Sequence, residues 1–167
     1  MRPPAPLQHR DETGLIGIVI VAHGGLAREY LSAVEHVVGP QQGMRAISIE
    51  DSHDRGMKQA EICEAADAVD AGDGVVVVTD LFGGSPSNLS LMACAGGSER
   101  RIVYGANLPM LIKLTKSRDL AVPEAVAMAL DAGRKYINAL DLGIAKVRRN
   151  TRLELGEPAA KSEARDC

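Results

Sequence analysis

Apolar residues in this chain fall into short runs separated by amphipathic stretches. Leu15 to Ala22 (LIGIVIVA) is short, β-branched and almost wholly apolar, which predicts a strand covered on both faces at the centre of a sheet. Leu26, Tyr30, Ala33, Val34 and Val37 recur at offsets of four, seven, eight and eleven residues and line one face of a helix that Gly39-Pro40 ends. Met44 to Ile49 alternates weakly as a second strand. The polar turn Glu50-Asp51-Ser52-His53-Asp54 can cap the next helix, whose buried stripe is Ile62, Ala65, Ala66 and Val69. Gly72 to Gly74 breaks that helix, and Val75 to Thr79 is too uniformly apolar to have a solvent face.

Beyond Asp80, Ser85 is the expected N-cap and Pro86 the first residue of a third helix running towards Gly96-Gly97. Arg101 to Ala106 predicts a fourth strand. Asn107 then caps a short helix through Leu108-Pro109-Met110-Leu111, and a longer helix follows from about Pro123 to Leu140. Alternating strands and helices predict an α/β fold, a three-layer sandwich with a central, mostly parallel sheet, helices on both faces and right-handed crossovers. Residues 1–13, rich in proline and charge, read as a flexible leader, residues 14–147 as a single domain, and residues 148–167 as a charged, disordered tail whose large apolar residues are Leu153 and Leu155.

Composition sharpens this picture by exclusion. With 167 residues and 46% hydrophobic content the chain can build one core of ordinary size. Aromatics are 2% of it, and the net charge is -3, so neither stacking platforms nor a phosphate-backbone surface for nucleic acid is expected. Cys63, Cys94 and Cys167 have no CxxC spacing, which suggests neither a disulfide framework nor a zinc site and fits a reducing cytosol. No apolar run approaches the roughly 20 residues of a membrane helix, and the first residues lack the apolar core of a signal peptide. A cytoplasmic protein without membrane insertion, metal or cofactor is the expectation.

Two strand ends carry the candidate chemistry. His23 follows the first strand and precedes Gly24-Gly25; Asp80 follows the third and precedes Leu81-Phe82-Gly83-Gly84-Ser85-Pro86. In a parallel sheet these ends share one edge, where such folds bind ligands. A lone strand-end histidine is often a structural residue satisfied by a carbonyl or water. What favours function is the glycine pair beside it, which leaves room for a large anion to reach an imidazole that can act as a nucleophile. Asp80 reads either as a loop or cap acid or as the acceptor that fixes the His23 tautomer and frees the other ring nitrogen. Gly83-Gly84-Ser85 runs into a helix start, where backbone amides and the helix dipole favour phosphate oxygens. Together these groups suit a histidine that receives and passes on a phosphoryl group.

Val19-Ile20-Val21-Ala22-His23-Gly24, Asp80-Leu81-Phe82-Gly83-Gly84-Ser85-Pro86 and Gly105-Ala106-Asn107-Leu108-Pro109-Met110-Leu111, in that order and spacing, resemble the enzyme IIA component of the mannose class of the phosphoenolpyruvate-dependent sugar phosphotransferase system. The likeness covers about Leu15 to Leu140. It implies that His23 is phosphorylated by the histidine phosphocarrier protein, that Asp80 orients its ring, and that Gly24, Gly83, Gly84 and Ser85 surround the phosphoryl group. It also implies a homodimer in which a C-terminal edge strand is exchanged, with Ile144 to Val147 as the candidate strand. Many such chains continue into a IIB domain; here the acceptor is a separate IIB component, or the phosphorylation state is itself read by a regulatory partner.

Three rivals stand beside that reading. Histidine phosphatases place Arg-His-Gly after the first strand, but Ala22 occupies the arginine position and no histidine follows His53. Response-regulator receivers need an acidic pair where this chain has Ala22-His23. A non-covalent anion-sensing domain would use the same glycine loop without labelling His23.

Overall fold

The computed structural model describes residues 14–95 and 99–140. The elements lie in one compact unit that ends at Tyr136; Ile137 to Leu140 belong to a second unit and carry no helix or strand. Four strands, β1 (Gly17–His23), β2 (Met44–Ile49), β3 (Val75–Thr79) and β4 (Arg100–Tyr104), form a sheet in the order β2-β1-β3-β4. The sheet was expected to be mostly parallel, and every pairing among the described residues is parallel. Helices α1 (Leu26–Val38), α2 (Arg55–Val69), α3 (Ser85–Ser90), α4 (Leu108–Lys116) and α5 (Val122–Lys135) complete it.

Position in the sheet explains the strand sequences. β3 is buried throughout and β1 up to its last residue, His23, as their unbroken apolar runs require, whereas the edge strands β2 and β4 alternate. Successive β1 side chains point to opposite faces and so feed two cores. Ile18, Ile20 and Ala22 pack with Ala27 and Val34 of α1, Leu111 and Leu114 of α4, and Ala125 and Ala129 of α5. On the other face Val19 and Val21 pack with Ile62, Ala66 and Val69 of α2 and Leu89 of α3. That is the expected three-layer sandwich.

Several boundaries differ from expectation. Ser85 is not the N-cap of α3: Gly84 holds that position, without a side-chain cap bond, and Ser85 is the first helical residue. The turn is closed instead from inside the helix, by Ser87 Oγ accepting the Gly83 N–H at 3.1 Å. α3 also stops at Ser90, where Ser90 Oγ donates back to the Pro86 carbonyl, and the chain continues into a single 3-10 turn at Met92–Cys94. β4 ends at Tyr104 because Gly105 takes a φ of 78°. α5 ends at Lys135 rather than near Leu140, since Tyr136 leaves the helical region. The expected leader 1–13, the edge strand Ile144 to Val147 and the tail 148–167 lie outside the described residues.

Candidate active site

β1 and β3 are adjacent and in register, Val21 opposite Thr79, so the residues leaving their carboxyl ends come together. His23 Nδ1 lies 2.8 Å from Asp80 Oδ2, and the same oxygen accepts the His23 backbone N–H at 3.0 Å. Asp80 Oδ1 accepts the Leu81 N–H at 2.9 Å. Both carboxylate oxygens are therefore held by donors at fixed points of the sheet edge. Burial works to raise the Asp80 carboxyl, but the backbone N–H, ring and charge of His23 and the N–H of Leu81 together hold it below its ordinary value.

This arrangement fixes the imidazole. Because an ionised carboxylate only accepts, Nδ1 carries the proton towards Asp80 and the neutral ring keeps its lone pair on Nε2. The His23 side chain is 46% exposed while that of Asp80 is 10% exposed, so a reagent reaches the imidazole and not the acid behind it. Gly84 underlies the reactive side of the ring. A Cβ there would stand 3.0 Å from His23 Cε1 and 3.4 Å from Nε2, so only glycine leaves that face clear.

The glycine loop is placed as the sequence suggested, with one redistribution of roles. Gly24 and Gly83, at φ 53° and 81°, make the turns that only glycine makes without strain. Their amides are already engaged, Gly24 N–H with the Ile49 carbonyl at 2.8 Å and Gly83 N–H with Ser87 Oγ. Among the described residues no hydrogen bond takes up the amides of Gly84 or Ser85 at the start of α3, so those two remain available to an anion.

Three features beside the site, involving four residues, were not singled out from the sequence. Tyr30 on α1 donates its hydroxyl to the Ala106 carbonyl at 2.8 Å, tying α1 to the turn after β4; burial, then the Asp80 charge, push the phenol's pKa above its ordinary value and keep it neutral. Phe82 and Tyr104 form an exposed ring pair with centroids 4.8 Å apart. Ser87 carries the loop closure that the sequence reading had given to Ser85 as N-cap. Only a signal spanning distant segments would have found the first two, because their partners are 76 and 22 positions away. Asn107, by contrast, behaves as its position predicts, its side chain accepting the Met110 N–H at 3.1 Å to cap α4.

Fold and site together define an open, parallel α/β protein that holds an oriented, accessible imidazole over a glycine loop at the carboxyl edge of its sheet. The family model described as the fructose IIA component of the phosphotransferase system matches residues 17–131, and the chain belongs to this mannose-class EIIA family of phosphotransfer components. It is 28% identical over 127 residues to the mannose-specific EIIAB component of Escherichia coli, covering 75% of this chain and 39% of that protein. The chain thus spans well under half the length of the curated relatives it matches first. Among solved structures it is similar to the mannose/sorbose-specific IIA subunit from Enterococcus faecalis (26% identity, TM-score 0.69, 77% of this chain and 97% of that one). The EIIA component from Streptococcus agalactiae is comparable (26% identity, TM-score 0.68, 75% and 97%). Among the described residues no helix is long and apolar enough to cross a membrane.

Proposed function

We propose that His23 Nε2 accepts a phosphoryl group from the phosphorylated histidine phosphocarrier protein and hands it to a IIB component or to a partner that reads the phosphorylated state. The observation that carries this reading is the 2.8 Å contact between His23 Nδ1 and Asp80, which leaves Nε2 as the exposed lone pair. In the forward step that lone pair forms a bond to phosphorus as the donor's own nitrogen–phosphorus bond breaks, and the donor imidazole keeps the electron pair. No hydroxyl has to be deprotonated, so no general base is required. Asp80 balances the charge that develops on the ring. The free amides of Gly84 and Ser85 are suited to the phosphoryl oxygens, and Gly24 and Gly83 shape the space rather than donating into it. Exposed Leu81, Phe82 and Tyr104 beside the histidine suit a protein partner, which must approach closely enough for direct transfer.

The test is incubation with phosphoenolpyruvate, enzyme I and the phosphocarrier. The wild type is expected to gain one acid-labile phosphoryl group, and His23→Ala none. Labelling that persists in a folded His23→Ala protein, or steady release of inorganic phosphate without a labelled intermediate, would remove the relay reading.

A further inference from the structure

His23 and Asp80 leave neighbouring strands, so their contact is only as exact as the backbone that carries each of them. Asp80 follows Thr79, the last residue of β3, and the Thr79 carbonyl belongs to the same planar peptide group as the Asp80 amide. That carbonyl accepts the Ala106 N–H at 3.1 Å. Ala106 in turn offers its own carbonyl to the Tyr30 hydroxyl at 2.8 Å. Two successive hydrogen bonds through Ala106 thus connect Tyr30 to the peptide that carries Asp80.

Tyr30 is tied to the other half of the pair as well. It lies in the second turn of α1, the helix that starts at Leu26 directly after His23-Gly24-Gly25, and the Glu29 N–H beside it bonds to the Gly25 carbonyl at 3.2 Å. The phenol therefore spans from the element that follows His23 to the turn that braces Asp80. Around Gly105 that turn is open: the residue takes a φ of 78°, and a Cβ there would meet nothing within 4 Å. Asn107 Nδ2 reaches the Gly105 carbonyl only at 3.4 Å.

Packing alone does not account for the hydroxyl. The Tyr30 ring lies half-buried against the core, as do Ala106 and Leu108, a role that a phenylalanine ring would also fill. Burial, then the charge of Asp80, push the phenol's pKa above its ordinary value, so it remains a donor, and the influence of Asp80 puts the carboxylate within electrostatic reach. With its hydrogen committed to Ala106, the hydroxyl has no proton to offer the phosphoryl group and acts only through Asp80.

We infer that Tyr30 is a positioning residue for the His23–Asp80 pair, its hydroxyl holding the Ala106 turn so that Asp80 stays in register with His23 Nδ1. Its consequence for transfer rests on the relay proposed for His23.

Tyr30→Phe removes the oxygen and keeps the ring, and Tyr30→Met, also without a hydroxyl, guards against one variant failing to fold. Quench-flow labelling of the full chain by the phosphorylated phosphocarrier should show kcat reduced about fivefold, as for the loss of one ordinary hydrogen bond, with KM for the phosphocarrier unchanged. In an Asp80→Asn background the same substitution should cost nothing further, because the group it positions has gone. Nitrogen-15 NMR of the His23 ring should show the ratio of the Nδ1–H to the Nε2–H tautomer falling by a similar factor. A structural tie alone would lower the thermal midpoint, leave that ratio unchanged and multiply with the effect of Asp80→Asn. Unchanged kcat, an unchanged tautomer ratio or multiplicative losses in the folded variants would overturn the assignment. If the wild type takes up no phosphoryl group, the relay reading falls instead, and the tautomer ratio, which needs no donor, still decides whether Tyr30 holds the pair.

Discussion

The two edges of the same sheet are built by opposite rules. At the amino edge glycine is used for contact. A Cβ on Gly17 would lie 2.4 Å from the Val69 carbonyl oxygen, and one on Gly74 would lie 2.3 Å from that of Glu99. Arg118, 5% exposed, pins this edge by donating to the carbonyls of Ile16, Gln42 and Gly43, and burial pushes its ionisation down. At the carboxyl edge glycine is used for space: Cβ atoms on Gly24, Gly25, Gly83 or Gly105 would meet nothing within 4 Å. One edge is sealed by packing and backbone hydrogen bonds, and the other is kept open around one oriented side chain. Close packing is concentrated at the first, and the chemistry proposed for His23 belongs to the second.

If that division is right, it breaks in a definite order. The largest effect is on labelling: His23→Gln should abolish phosphorylation while leaving the thermal midpoint within a few degrees of wild type, since His23 is half exposed and outside both cores. Next is a matched pair of identical substitutions on opposite edges. Gly17→Ala forces backbone apart and should cost about 3 kcal/mol or more in urea unfolding, whereas Gly25→Ala should stay within about 0.5 kcal/mol. Equal costs would mean that the two edges do not differ. Arg118→Met should then destabilise by about 3 kcal/mol by orphaning buried carbonyls, with the phosphorylation rate of the folded protein unchanged.

Asp80→Asn sharpens the comparison from the other side. Removing a charge-assisted hydrogen bond to the ring should slow phosphoryl transfer by roughly 10- to 100-fold in stopped-flow or quench-flow labelling, with a smaller effect on stability than either amino-edge substitution. The smallest expected effect is in the pH dependence. The Asp80 carboxyl is held below its ordinary value in the folded state, so the unfolded chain takes up its proton first as pH falls. Its contribution is therefore complete above about pH 4 and lost as pH drops through the lowered native value. Thermal midpoints measured from about pH 6 to pH 2.5 should show a loss in wild type that is reduced in Asp80→Asn; parallel curves would reduce the His23 contact to an incidental one.

Local pattern made much of this legible. The apolar runs of β1 and β3, the helical stripes of α1 and α2 and the asparagine cap of α4 each depend on neighbours within one or two turns, where residue spacing decides the outcome. The same applies to placing His23 and Asp80 at strand ends. The misplaced N-cap of α3 shows the limit. Ser85 had the right chemistry, but Ser87 closed the loop because the backbone entered the helix one residue earlier than the composition implied, and cap geometry depends on φ and ψ rather than on residue type alone.

By itself the sequence determined the α/β alternation, the two buried central strands and the identity of the residues at the carboxyl edge, because each is encoded in periodicity and in motif order along the chain. Tertiary structure alone decided how those residues share the work. It set the sheet order that brings Asp80 to Nδ1, the Gly84 contact that leaves Nε2 clear, and the bonds that withdraw the Gly24 and Gly83 amides while sparing those of Gly84 and Ser85. It also decided that Arg118 would pin the far edge, more than 70 positions from every carbonyl it holds. The physical reason is that a hydrogen bond is fixed to within tenths of an ångström by the packing of whole elements, and no local pattern of residues records that distance.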